Sequence, residues 1–403
     1  MKRWIQSLVL LIPLWACSDN KPFIRVPGPD DRLQLVPRTQ RPVQPDVLTF
    51  YVLGDWGTGD ENQRHVAQAL QQDVQDLPPG KTVRPFVLEL GDNVYEKGLP
   101  QGWNNPEALR LLDETFGRVY TGIKYGDLPL LFHIVPGNHD YAGAAGGKEG
   151  YGDVLLQETV AEERFRSSWR YYPINPAINR DTNDSTDYVR LKAANIFDLA
   201  VPERVHSGAS HLLNIVALDT QVMLELYDKK DSTRIKRNWS KLDSLLNTPS
   251  AWSMIIGHHP IRTHGWHGGF RTAFWYLPVP PTILFTLIDK LFLRRLQDLD
   301  HPAYRAFRRD LAAIMKKHDV TFYLAGHEHN LQFLRLDSLH FQLVSGSAAK
   351  RSSVTHKRDT IFSQAARGFV RFDVTEKEMW LEFIPVDPRT STSRSAAVFR
   401  LRR

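Results

Sequence analysis

The stretch FVLELGDNVYEKG, residues 86–98, decides the fold. A short run, apolar but for Glu89, ends at Gly91-Asp92 with no sustained polar alternation before it, which is the pattern of a strand buried on both faces. A tyrosine, Tyr95, follows three positions after the aspartate, where the strand has already given way to a loop. The same theme recurs along the chain. VLTFYVLGD (47–55), LLFHIVPGNHD (130–140) and LNIVALDT (213–220) each close an apolar run with a carboxylate or a metal-binding amide. AWSMIIGHHP (251–260) and VTFYLAGHEHN (320–330) close theirs with histidines.

Between these runs lie segments of helical period. ENQRHVAQALQQDV places Val66, Leu70 and Val74 on one face, and WSKLDSLL and FRRDLAAIMKKH repeat the pattern. Strands alternating with helices imply a largely parallel, covered sheet whose ligand site lies at the C-terminal strand ends. After Leu343 the pattern changes to alternation, with GFVRFDVTEKEMWLEF reading as a hairpin turning near Glu376 and AVFRL as a closing strand. A second sheet layer within one domain is expected from this region.

Composition sets broad limits. The 403 residues are 42% hydrophobic, enough for a sizeable core, and the formal charge of +6 is spread without an arginine-rich run. No nucleic-acid motif accompanies it. Lys2 and Arg3 precede an apolar segment, Leu8 to Trp15, that is too short to span a bilayer as a helix. Residues 1–16 therefore read as a secretory signal. The single cysteine, Cys17, follows Leu14, Trp15 and Ala16 in a pattern resembling the lipobox of bacterial lipoproteins. The expectation is an exported protein, acylated at Cys17 and anchored by lipid in the cell envelope, facing the periplasm or the cell surface. Residues 17–47 read as a flexible tether and 48–403 as one domain with insertions near 175–210 and 270–303. The second insertion contains FRTAFWYLPVPPTILFTLIDKLFLRR, apolar and aromatic but broken by prolines and Asp289.

The strand ends collect groups suited to di- or trivalent cations: Asp55, Asp92, Tyr95, Asn138, His139, His258, His259, His327 and His329. A carboxylate can bridge two cations roughly 3.5 Å apart, and such a pair activates water and polarises a phosphoryl oxygen. Histidines and an asparagine complete the shells as neutral ligands.

The ordered blocks GDWG, GDNVY, GNHD, GHHP and GHEHN resemble those of the calcineurin-like metallophosphoesterases. The Asp-x-x-Tyr form of the second block is similar to the purple acid phosphatases, particularly the small tartrate-resistant type. FRSSWRYYP, VALDT and FYLAGHEHNLQ agree with it. The resemblance implies an α/β fold of four layers, α/β/β/α, with two mixed sheets flanked by helices. It implies a binuclear centre of Fe(III) with Fe(II), Zn(II) or Mn(II). Carried over by position, Asp55, Tyr95 and His329 would bind the ferric ion, and Asp92 would bridge. Asn138, His258 and His327 would bind the second metal. His139 would face the substrate phosphate. A further histidine would protonate the leaving group, and both His264 and His267 are followed by glycine and remain candidates. His259 stands where a non-ligand is common and competes with His258. The activity implied is hydrolysis of a small phosphate monoester by a monomeric enzyme. Phosphodiester or nucleotide hydrolysis on the same fold, and a non-catalytic binding lipoprotein, are the alternatives.

Overall fold

The computed structural model of the chain describes residues 21–29, 31–100, 102, 104–141, 154, 156–172, 211–268 and 296–403. The leader, Cys17, the insertion near 175–210 and residues 270–295 of the insertion expected at 270–303 lie outside the described residues. Among the described residues, no helix is long and apolar enough to cross a membrane.

Seventeen strands are described, most of them in two large mixed sheets. They are β1 (Phe23–Ile24), β2 (Leu33–Val36), β3 (Leu48–Leu53), β4 (Phe86–Glu89), β5 (Lys124–Tyr125), β6 (Leu128–Pro129), β7 (Leu131–Ile134), β8 (Trp169–Tyr171) and β9 (His211–Ala217). Then come β10 (Ser250–Ile256), β11 (Phe322–Ala325), β12 (Leu331–Arg335), β13 (Phe341–Ser345), β14 (Thr360–Gln364), β15 (Gly368–Val374), β16 (Glu378–Pro385) and β17 (Ala397–Arg402). One sheet has the order β1-β14-β12-β13-β11-β10-β9 and the other β2-β17-β16-β15-β3-β4-β7-β8, while β5 and β6 form a small ribbon. The apolar runs that end in Gly-Asp (β3, β4) or Gly-His (β10, β11) lie in parallel ladders, β3, β4, β7 and β8 in one sheet and β9, β10, β11 and β13 in the other.

The two sheets pack face to face. Phe50, Val52, Phe86 and Leu88 from one meet Ile215, Met254, Ile256, Phe322 and Leu324 from the other in a single buried cluster. The alternate residues of the same strands, Tyr51, Leu53, Val87, Val216, Ile255 and Tyr323, face outward into a second cluster with the helices. These include Glu61–Gln75, Thr220–Asp228, Ser232–Leu246 and Pro302–Lys317. Period-2 alternation thus serves two apolar cores at once, so the strands read as continuous apolar runs. Mixed sheets in two central layers, with helices outside, match the architecture expected from the sequence.

Two local expectations change. The hairpin β15–β16 and the closing strand β17 do not form a layer of their own, because β15 pairs antiparallel with β3, Val370 opposite Val52. The C-terminal strands extend the sheet built by the N-terminal half. From residue 21 the segment expected as a flexible tether is held against the fold: β1 pairs with β14 and β2 with β17, each at the edge of a different sheet. Two edges that would present unpaired N–H and C=O groups are covered in this way.

Candidate metal centre

The groups singled out at the strand ends converge. Asp55 follows β3, Asp92 follows β4, Asn138 follows β7, His258 follows β10 and His327 follows β11. Asp55, Asp92 and His327 have φ of 56°, 58° and 69°, a left-handed conformation costly for residues with a Cβ. Such backbone is held by its surroundings and gathers at functional sites. Gly137 lets the third block approach closely, since a Cβ there would fall 2.2 Å from Asp92 Oδ1.

Two donor sets share Asp92. In the first, the Tyr95 hydroxyl lies 3.0 Å from Asp55 Oδ1, 2.9 Å from Asp92 Oδ2 and 3.3 Å from His329 Nε2. In the second, Asn138 Oδ1 is 2.9 Å from His258 Nε2 and 3.0 Å from His327 Nδ1, and these two nitrogens are 3.2 Å apart. Asp92 Oδ1 is 3.4 Å from His258 Nε2, so its two oxygens address one set each. His258 Nδ1 is engaged by the Leu90 carbonyl at 2.8 Å, which turns Nε2 inward.

The electrostatics mark a site short of positive charge. Burial, with the Asp92 carboxylate beside it, raises Asp55 well above the usual carboxylate range. Burial opposes ionisation of Asp92 too, but His258, His139 and the bonds from His139 N–H and Tyr95 hold it low. Burial also keeps His327 and His329 neutral, the form that binds metals. Carboxylate, phenol, amide and imidazole groups therefore converge with too few protons to share. Asp55, Asp92 and His258 offer ligand atoms within 4.8 Å of one another, as do His258, His259 and His327. The donor set fits a pair of cations.

The remaining candidates separate by their partners. His139 donates its backbone N–H to Asp92 Oδ1 at 2.9 Å, and its Nδ1 engages the Glu96 carbonyl at 2.6 Å. Its ring lies 4.6 Å from that of Tyr95 at the half-open face of the site. His259 has both nitrogens engaged, Nδ1 by Thr220 Oγ1 at 2.8 Å and Nε2 by Gln297 Oε1. That removes it from competition with His258. His264 bonds Asp359 at 2.7 Å through Nε2. His267 instead stacks on His327, with ring centroids 4.0 Å apart, and lies 3.3 Å from Asp298. Of the two candidate proton donors, the structure places His267 at the site.

Some supporting residues carry no role in the sequence reading. Asp140, the last residue of GNHD, accepts from the N–H groups of Asn93, Val94 and Gly137 and from Gln157. It locks the second block to the third. Its place beside the histidine was a visible signal. Gln297 and Asp298 come from an insertion with no motif, and nothing local announces them.

Comparison with known proteins agrees with the geometry. Over 355 residues the chain is 23% identical to tartrate-resistant acid phosphatase type 5 of Sus scrofa, covering 84% of this chain and 83% of that protein. It is 24% identical over 318 residues to purple acid phosphatase 7 of Arabidopsis thaliana, covering 75% and 70%. Among solved structures, "GAP50 the anchor in the inner membrane complex of Plasmodium" superposes with a TM-score of 0.56 at 18% identity, over 88% of this chain and 89% of that one. The family model for calcineurin-like phosphoesterases matches residues 48–331, from β3 to the start of β12 and through all five blocks, and the chain belongs to that family.

Proposed function

We propose that the protein hydrolyses phosphate monoesters at a binuclear Fe(III)–M(II) centre, with M being Fe, Zn or Mn. The observation that carries this reading is Asp92 presenting one oxygen to each of two donor sets, with a tyrosine hydroxyl in one of them. Asp55, Tyr95 and His329 would hold the ferric ion, and Asn138, His258 and His327 the second metal. When bound, the pair would lower the pKa of a water nucleophile and polarise the phosphoryl oxygens.

The chain's own groups do the rest. Tyr95 would supply an anionic oxygen to the harder cation. His139, ordered by Glu96, faces the open side, where an imidazole N–H neutralises charge building on the phosphate. Against the cost of burial, the Asp298 contact and the nearby Glu328 carboxylate raise the pKa of His267, which favours its role as an acid towards the leaving oxygen. The similarity to tartrate-resistant and purple acid phosphatases supports the monoester reading over a diester or nucleotide one. Rates on an aryl monoester and a bis-aryl diester separate the two. A purely anchoring role, as the name of the Plasmodium protein describes for that molecule, does not account for seven converging ligand groups.

The N-terminal pattern supports export and acylation at Cys17, with the enzyme held at the envelope. Incorporation of labelled palmitate into wild type but not Cys17→Ser tests the anchor.

A further inference from the structure

Glu328, between the two histidines of GHEH, is 1% exposed. Its Oε2 accepts from Trp266 N–H at 2.9 Å and its Oε1 from His267 N–H at 2.8 Å. The same loop is held at two earlier amides by neutral side chains. Arg262 N–H donates to Gln342 Oε1 and His264 N–H to Gln332 Oε1, both at 3.0 Å. The Gly265 N–H donates to Thr263 Oγ1 at 2.9 Å, so each of these earlier amides has its own neutral acceptor, whereas at the His267 end a single side chain, a carboxylate, takes two successive amides. Glu328 gives each of the two adjacent amides an oxygen of its own, which a glutamine would not, because its second terminal atom is a donor. Burying that charge is costly without such bonds, and charge-assisted bonds are short and strong. Gly265 makes the room: a Cβ there would lie 2.2 Å from Glu328 Oε2.

We propose that Glu328 is a positioning residue that fixes His267 against His327, so that the block supplying two metal ligands also sets the place of the leaving-group acid. This rests on the proposed role of His267. A general acid contributes only when its proton sits within hydrogen-bond reach of the leaving oxygen. The double grip at the Trp266 and His267 amides, with the ring stacked 4.0 Å from that of His327, leaves the imidazole little freedom to swing away.

The test compares wild type, Glu328→Gln, Gly265→Ala and His267→Ala on two esters. 2,4-Dinitrophenyl phosphate has a leaving group that needs no proton; an alkyl phosphate has one that does. The loss of kcat should be about tenfold greater on the alkyl ester in Glu328→Gln and Gly265→Ala, and about 100-fold greater in His267→Ala, the scale that a general acid contributes. Adding Glu328→Gln to His267→Ala should cost nothing further, and metal content should match wild type throughout. Diethyl pyrocarbonate labelling of His267, mapped by mass spectrometry on chelated protein, should be faster in Glu328→Gln. Equal losses on both esters, or metal loss in Glu328→Gln, would overturn the proposal. If wild type hydrolysed neither ester, the monoesterase reading would fall and labelling alone would decide: faster labelling supports Glu328 as the anchor of His267, and unchanged labelling overturns it.

Discussion

The Tyr95 hydroxyl lies 2.9 Å from Asp92 Oδ2, while its second carboxylate contact, to Asp55 Oδ1, is 3.0 Å. One phenolic proton stands between two buried carboxylates, and burial beside those charges raises the phenol's pKa well above its usual value. Ionisation of Tyr95 therefore requires a cation in place of that proton.

If the cation is ferric, phenolate-to-metal charge transfer gives visible colour. Tyr95→Phe should abolish the visible band while iron and the second metal remain bound. Absorption spectra recorded beside elemental analysis check this. An unchanged band in the variant would show that Tyr95 does not bind the iron.

Asp92 joins the two donor sets, and its loss should be felt by both. Asp92→Asn should hold at most one metal per chain and lose on the order of 1000-fold in kcat, since the charge stabilisation supplied by a metal pair is worth several kcal/mol. Elemental analysis and initial rates on an aryl phosphate read both effects. A variant retaining two metals would show that another group bridges.

Asp55 gives the chelated protein a distinct pH signature. Its folded pKa is raised, by burial first, to about 8, against about 3.9 in an unfolded chain. The folded state therefore holds the extra proton between these values. Asp55 contributes stability that is fully present below pH ~4 and lost as pH rises through about 8. Denaturant unfolding of metal-free wild type and Asp55→Asn should show the variant gaining relative to wild type between pH 5 and 9. A gap independent of pH would show that Asp55 is not the protonated partner. By the same linkage, metal uptake at pH 6 should release about one proton that uptake at pH 9 does not.

His264 and His267 should separate cleanly. His264 is bound to Asp359, whose carboxyl is held at about 2 by His264 and Arg262 even though burial opposes this. His264→Ala should therefore destabilise by about 1–3 kcal/mol, the cost of leaving a partly buried carboxylate without its hydrogen-bond partner, with kcat within about threefold of wild type. His267→Ala should instead lower kcat by about 100-fold on alkyl esters, the usual scale of general-acid catalysis. Equal kcat losses for the two would contradict the assignment.

What the sequence made legible follows from how local each signal is. A parallel strand covered on both faces is mostly apolar, Thr49 and Glu89 being the buried exceptions here, and its last residues turn sharply, so Gly54-Asp55 and Gly91-Asp92 announce strand end and ligand together. The donor types at those ends are chemically narrow, which is why the seven ligand candidates were visible. The split between His264 and His267 was not, because both precede glycine and only distant partners, Asp359, Glu328 and Asp298, distinguish them. Likewise the choice between His258 and His259 depends on Leu90, Thr220 and Gln297. Residues 21–47 lack periodicity because their two strands are short, two and four residues long, and edge-paired. The pairing of β15 with β3 joins residues over 300 positions apart, which alternation alone cannot specify.

The proposed binuclear, iron-containing hydrolase centre is tested by the metal content and visible spectrum of active wild-type protein. Two metals per chain are expected, at least one of them iron, with a visible band that accompanies phosphate monoester hydrolysis and disappears in Tyr95→Phe. A colourless, iron-free preparation with full activity would contradict it.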